Sequence, residues 1–376
     1  MVNQDRLIAE FFELVKIDSI SGYEREIADL LALKLQKLGL SVYEDDAGKR
    51  AGTKAGNIIA RLPGNVPEAP ILMLSAHMDT VQPGTDIQPV NIDNTIYSSG
   101  ETILGADDKA GIAAILEALR VINEQQPAHG DVVVVLTIWE EGGLVGSGNI
   151  EFDRIGAHMG IVLDSDGDPG NIVVKGPSQD RLTATVKGRA AHAGINPQDG
   201  INAIQVASRA VSKMSLGRID EETTANVGVI SGGKAINIVP DSTTVHGEAR
   251  SMSPEKRAAQ TESMCAALRE AAAQAGATVD IRVETIYPDM NLAENEPVVK
   301  LVSSAAEELG LKPKLTSTGG GSDANFFNQY GLPTVNLGIG MKKVHTTEEY
   351  ITVANLVKNA EFVAKIILKA AVLKSN

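Results

Sequence analysis

Val132-Val133-Val134-Val135-Leu136-Thr137-Ile138 runs directly into Trp139-Glu140-Glu141-Gly142-Gly143. An aliphatic run without polar alternation reads as a strand buried on both faces, as in a parallel sheet covered by helices. The two carboxylates then stand where that strand leaves the sheet. In open α/β sheets this edge, the carboxyl end of the strands, is where ligands bind. Two like charges side by side in a half-buried site repel, so a cation should be close by or one carboxyl should carry a proton. A metal cluster supplies the cation and divides the work: Glu141 binds metal, and Glu140 stays free to move a proton. Taken alone, the pair is better explained as an acidic turn at the sheet surface, because a two-residue acidic motif is common. The rest of the chain reverses that balance.

Outward from this strand the pattern repeats. Ile71-Leu72-Met73-Leu74-Ser75-Ala76 ends at His77-Met78-Asp79, and the run from Gly160 to Leu163 ends at Asp164. Asn57 to Leu62 and Thr334 to Leu337 read as further strands. Helices lie between them. The first covers residues 5–16, with Leu7, Ile8, Phe11, Phe12 and Val15 at helical spacing. The second runs to Leu38; Ser21-Gly22-Tyr23-Glu24 has the capping-box form at its start, and Gly39 suits its end. Gly105-Ala106-Asp107-Asp108-Lys109-Ala110-Gly111 opens a third, and later helices cover Glu296 to Leu309 and Val353 to Lys369. The fold class is therefore α/β, a mostly parallel sheet flanked by helices.

Near Pro177 the pattern changes. Arg181 to Lys187 alternates as a half-buried strand. A helix (Ile201 to Met214), two strands (Asn226 to Ile230, Thr243 to Arg250), a helix opened by Ser253-Pro254 and ended by Gly276, and a strand (Thr278 to Thr285) follow. Strand-helix-strand-strand-helix-strand is the ferredoxin-like split unit. The expected organisation is one α/β domain from residues 1–177 and 288–376, with a ferredoxin-like α+β domain inserted at 178–287.

Composition narrows the function. The 376 residues carry a formal charge of −14, which argues against nucleic acid or an anionic membrane as partner. No apolar run approaches the roughly 18 residues of a membrane span. The amino terminus lacks a basic segment followed by an apolar run, so no secretory signal is visible and a cytoplasmic protein is expected. The single cysteine, Cys265, lies in a helical stretch and is better explained by packing than by catalysis.

Several residues could carry chemistry. His77 and Asp79 are two apart and share a side of an extended segment; a carboxylate there fixes the imidazole tautomer and raises its basicity. Of Asp107 and Asp108, one could bridge two metals while the other caps the helix. Asp164 again follows a buried strand. The cluster it opens, Asp164-Ser165-Asp166-Gly167-Asp168, lacks the ligand spacing of a calcium loop. His345 follows the Thr334 strand; His129, His158 and His246 have no comparable setting. Together His77, Asp107, Glu141, Asp164 and His345 supply two imidazoles and three carboxylates, a mix that suits zinc, cobalt or manganese. One bridging carboxylate with two other ligands on each metal makes a co-catalytic pair.

At this point the chain resembles the di-zinc aminoacylase and carboxypeptidase family. The resemblance rests on Ser75-Ala76-His77-Met78-Asp79-Thr80-Val81, Gly105 to Gly111, Glu140-Glu141-Gly142, Leu163-Asp164 and Val344-His345-Thr346. The Gly-Ala-Asp-Asp-Lys-Ala-Gly form and Gly188-Arg189-Ala190-Ala191-His192-Ala193-Gly194 are most similar to its peptidase T, or tripeptidase, branch. The resemblance implies a metal-dependent exopeptidase that hydrolyses short peptides with two Zn2+ per subunit, Co2+ or Mn2+ being possible substitutes. It implies that Asp107 bridges both ions, that His77 and Asp164 complete one and Glu141 and His345 the other, that Asp79 orients His77, and that Glu140 is the general base. His192 is similar to the residue that steadies the tetrahedral oxyanion, and Asn237 and Arg250 resemble substrate-binding positions. The turn Gly319-Gly320-Gly321-Ser322-Asp323 would offer backbone amides to the substrate. A homodimer through the inserted lid domain is also implied. Asp166 and Asp168 crowd Asp164, so the ligand there could be displaced by two residues. Rival readings are an N-acyl amino acid deacylase on the same scaffold and a non-catalytic regulatory protein that keeps the metal site. A dinucleotide oxidoreductase fails, because no Gly-x-Gly-x-x-Gly follows the first strand.

Overall fold

Six consecutive buried residues make each of two adjacent strands, Val132–Thr137 and Leu72–His77. They pair in parallel, and on the far side of Leu72–His77 the strands Met159–Ser165 and Thr334–Gly338 continue in the same direction. A fully buried Val or Leu contributes about 1.5–3 kcal/mol relative to exposure. These four strands therefore anchor the core. Antiparallel strands flank them: Ile58–Leu62 and then Ser41–Glu44 on one side, Asn171–Gly176 on the other. The computed structural model describes residues 1–373. The central sheet is mixed rather than wholly parallel, with its parallel stretch in the middle, where burial on both faces favours it.

The helix Ala106–Gln125 packs on the Leu72–His77 and Met159–Ser165 strands, and helices Gln4–Val15 and Val353–Ala370 pack on it in turn. A small antiparallel sheet of Pro89–Ile92, Thr95–Ser98 and Tyr350–Thr352 was not foreseen in the sequence. Its strands are only three or four residues long, too short for a periodic signal.

The chain divides into two compact units. The one just described holds Met1–Lys175, Asn291–Thr318 and the chain from Ser322 onward; the other holds Gly176–Met290 with Gly319–Gly321. In the second unit the strands Thr223–Gly232, Ser242–Ser251, Ser178–Lys187 and Thr278–Tyr287 lie side by side in that order, all antiparallel. Helices Ala203–Lys213 and Pro254–Ala275 bury Val206, Ala207, Met264 and Leu268 against Leu182, Ala184, Val186 and Val245 of this sheet. Ser253 accepts the Lys256 N–H, and Gly276 ends the helix at φ 66°. The ferredoxin-like order of elements is thus present.

The expected capping box at Ser21–Glu24 does not form. The helix begins at Arg25, and its N-cap Glu24 makes no side-chain cap. Ser21 Oγ instead donates to Asp79 Oδ2 at 2.6 Å, and Glu24 Oε1 accepts the N–H groups of Gly22 and Trp139. Both side chains turn toward the segments that carry Asp79 and Glu140: Ser21 to a buried carboxylate and Glu24 to backbone donors, in place of the helix end.

Candidate metal centre

The four parallel strands deliver their carboxyl ends to one edge. His77 is the last residue of its strand, Asp164 the penultimate residue of the next, Glu140 and Glu141 follow Val132–Thr137, and His345 follows Thr334–Gly338. Asp107 arrives from the loop that enters the helix at Ala106.

Asp107 sits at the centre of the cluster. Its Oδ1 lies 2.9 Å from His77 Nε2, and its Oδ2 lies 3.3 Å from His345 Nε2. Asp164 Oδ1 is 3.6 Å from His77 Nε2, and Glu141 Oε1 is 2.8 Å from His345 Nε2. Two triads result, His77–Asp107–Asp164 and Asp107–Glu141–His345, each with ligand atoms within 4.8 Å of one another. They share Asp107, one oxygen to each side. Glu140 stands close enough to form a third group with His77 and Glu141. Asp166 and Asp168 point elsewhere: Asp168 pairs with Lys342 at 2.9 Å, and Asp166 Oδ1 lies 3.5 Å from Ser165 Oγ.

The electrostatics show what the site demands. Burial pushes Asp164 up to about 8. Burial and the charge of Asp164 push Glu140 well above the usual carboxylate range, and burial also raises Glu141 and Asp323. Burial acts to lower His77, but its hydrogen bonds to Asp107, Asp164 and Asp79 hold it well above the ordinary imidazole value. Hydrogen bonds to Asp107 and Glu141 raise His345 to about 10. Lys109, buried in the same helix as Asp107, donates to the Ile17 carbonyl at 2.7 Å and is pulled down to about 7 by burial. Carboxylates crowded this closely around two imidazoles fit a site built for divalent ions, and the nitrogen-and-oxygen donor set suits zinc, cobalt or manganese.

The supporting shell fixes these side chains. His77 Nδ1 faces the Asp79 carbonyl at 3.0 Å, an acceptor only, so Nδ1 carries the proton and Nε2 faces the carboxylates. The Asp79 carboxylate lies 3.4 Å from His77 Nδ1, but its closer contacts are backbone: Oδ1 accepts Glu140 N–H at 2.9 Å and Oδ2 accepts Glu141 N–H at 3.2 Å. Asp108 Oδ2 accepts His77 N–H, and Oδ1 accepts Gly111 N–H, capping the helix. Gly142 has no room for a side chain, because a Cβ would lie 1.9 Å from Trp139 Nε1. Asp323, from the glycine-rich turn, accepts hydroxyls of Thr137 and Ser147, and Ser322 caps the helix Asp323–Gln329. Gly321 packs against the Tyr287 ring in the second unit.

Sequence reasoning did not single out Glu349, Ser21, Glu24 or Asp323 as supports. Glu349, in the polar stretch Thr346-Thr347-Glu348-Glu349, is buried.

His192, Asn237 and Arg250 all belong to the second unit. His192 is exposed; its Nδ1 accepts the N–H groups of Gly194 and Ile195, which leaves Nε2 as the protonated nitrogen. The Asn237 carbonyl accepts Ala193 N–H at 2.9 Å, so the His192 and Asn237 segments run side by side. Arg250 stands on Ser242–Ser251, where Glu248 takes its guanidinium at 3.0 and 3.2 Å.

An α/β unit with this cluster at its sheet edge and a ferredoxin-like unit inserted defines a class: the chain belongs to Peptidase family M20/M25/M40, whose profile matches residues 73–369. Within that family it is peptidase T-like. It is similar to the solved aminopeptidase PepT of Bacillus cereus, at 45% identity and TM-score 0.90, covering 98% of this chain and 99% of that one. It is similar to a solved tripeptidase of Staphylococcus aureus, at 42% identity and TM-score 0.94, covering 99% of both. Peptidase T of Geobacillus kaustophilus is 28% identical over 93% of this chain and 92% of its own length. Among the described residues no helix is long and apolar enough to cross a membrane.

Proposed function

We propose that the protein is a metal-dependent exopeptidase that hydrolyses short peptides, in the manner of a tripeptide aminopeptidase. The observation that carries the reading is the pair of triads sharing Asp107, with Glu140 beside them. His77, Asp107 and Asp164 would hold one divalent ion, and Asp107, Glu141 and His345 the second; zinc suits the donors best, with cobalt or manganese able to replace it. Such ions supply Lewis acidity and lower the pKa of water toward about 7.

The chain's own residues do the rest. Glu140 is buried, and burial with neighbouring acids raises its affinity for a proton, so that as a carboxylate beside the two ions it is suited to accept a proton and return it. It takes a proton from the attacking water and passes it to the leaving amine. Asp79 keeps Glu140 in place through the backbone. His192, with its outward Nε2–H, donates to the developing oxyanion. Asn237 and Arg250 bind substrate, Arg250 through the planar fork that suits a peptide carboxylate.

Residues 1–177 with 288–376 form the catalytic domain in this reading, and 178–287 the lid, which also mediates a homodimer. Exposed Val229, Ile230, Ile236 and Ile238 support an interface on that unit. The absence of a membrane-spanning helix among the described residues and the acidic charge favour a cytoplasmic enzyme acting on peptides, not nucleic acid or membrane.

Free-amino di- and tripeptides assayed against N-acetyl amino acids, with Zn2+ or Co2+ added, test the reading. Release of the amino-terminal residue from tripeptides supports it; cleavage confined to N-acetyl amino acids replaces it with a deacylase.

A further inference from the structure

The two triads share Asp107, yet their histidines come from distant parts of the chain. Something must fix the His345 loop against the Asp107 loop. His345 lies within the loop Lys342–Tyr350, whose base is closed by mutual backbone hydrogen bonds between Lys342 and Tyr350 at 2.9 and 3.1 Å. Within it Lys343 and His345 take φ of 53° and 63°. Non-glycine residues adopt such values at a cost and keep them only when their surroundings enforce them.

Glu349 stands at the base of this loop, 1% exposed. Its Oε2 accepts the N–H groups of Leu104 and Gly105, each at 2.8 Å, and its Oε1 accepts the N–H of Asp107 at 3.0 Å. Three backbone donors thus converge on one buried side chain, and removing an acceptor there would leave a buried N–H unsatisfied at a cost of about 1–3 kcal/mol. The three bonds join positions 242 to 245 residues apart in sequence. The neighbouring Glu348 is different: it is exposed and pairs with Lys343.

We infer that Glu349 is a positioning residue for the metal centre: through the Leu104–Asp107 backbone it sets the bridging carboxylate of Asp107 at the right distance from His345. It touches neither ion nor substrate. The inference rests on the proposed two-metal reading and goes beyond it, since it assigns the spacing of the two halves to a side chain outside both triads.

The test measures Zn2+ affinity by competition with a chromophoric chelator, and the visible spectrum of the Co2+-loaded protein, for wild type, Glu349→Gln, Glu349→Asp and the control Glu348→Gln. In Glu349→Gln the amide oxygen can serve only one side, and its NH2 group opposes the remaining N–H. Glu349→Asp keeps the charge but withdraws it by one methylene. The expected result is folded protein with affinity for at least one ion lowered about 10–100-fold, the scale for outer-shell partners of metal ligands, and with an altered Co2+ spectrum. Glu348→Gln should match wild type. Folded Glu349 variants that bind two ions with wild-type affinity and spectrum would overturn the inference. So would failure of both variants to fold, which would make Glu349 a support of the fold and not of the centre. If wild type itself binds no metal, the two-metal reading has failed instead.

Discussion

The Asp79 carboxylate accepts the backbone N–H of Glu140 at 2.9 Å, and its second oxygen accepts that of Glu141 at 3.2 Å. One side chain thus holds two consecutive residues with different proposed tasks, while its own carbonyl fixes the His77 tautomer. Asp79→Asn retains the shape but sets an NH2 group against one of the two N–H donors. Activity or metal affinity should fall about 10–100-fold. Steady-state kinetics with metal titration checks this, and a variant equal to wild type in both would remove Asp79 from the account.

Glu140→Gln separates the proton-moving role from the metal-holding one. The variant should keep both ions while kcat falls about 10²–10⁴-fold, the usual scale for a general acid–base residue. Elemental analysis beside tripeptide turnover decides it; full turnover in the metal-loaded variant counts against the role.

Gly142→Ala places a methyl group where Trp139 Nε1 lies 1.9 Å away. The turn Trp139–Leu144, closed by bonds from Gly143 and Leu144 N–H to the Glu140 carbonyl, must shift to admit it. A displacement of about 1 Å at the chemistry can cost about 10²-fold in rate. We expect a loss of that order with little change in secondary structure by circular dichroism; unchanged kcat would show that the turn tolerates the methyl.

These supports explain what could be read in the sequence and what could not. The aliphatic runs ending at His77, Thr137 and Asp164 announce buried strands, and burial on both faces requires the parallel sheet that gathers their ends. The ferredoxin-like order is legible because alternation from Arg181 to Lys187 marks a half-buried strand, and burial alternates there and along Ser242–Ser251. Ser21 and Glu24 mislead, because a capping box and a pair of long-range hydrogen bonds use the same residue types. Glu349 is invisible for the same reason: its partners are backbone N–H groups more than two hundred residues away, which leave no mark on composition or spacing.

The metal-free chain should lose stability as pH rises. Asp164 is pushed up to about 8 and His345 to about 10, whereas unfolded carboxyl and imidazole groups titrate near about 3.9 and about 6.5. Between the unfolded and folded values the folded chain binds more protons, so stability declines with increasing pH at both groups. Lys109, pulled down to about 7, opposes this above that pH, but as one group against two, so the Tm of chelator-treated protein should fall from about pH 6 to about pH 9. Bound metal keeps Asp164 and His345 deprotonated and should flatten the decline. A chelated protein whose Tm is constant or rises over that range would contradict the assignment.

Metal loading should also expel protons. His345 and Asp164 hold theirs at about pH 7 in the metal-free chain, and ligation requires their removal. Calorimetric titration in two buffers of different ionisation enthalpy should report net proton release, and affinity should rise with pH. Binding without proton release would place the ions elsewhere.

The most direct measurement is the metal content of the purified chain, followed beside its tripeptidase activity through chelation and reloading. Two zinc or cobalt ions per chain, removed and restored together with the activity, is the predicted result. A chain that cleaves tripeptides at full rate with no stoichiometric metal would contradict it.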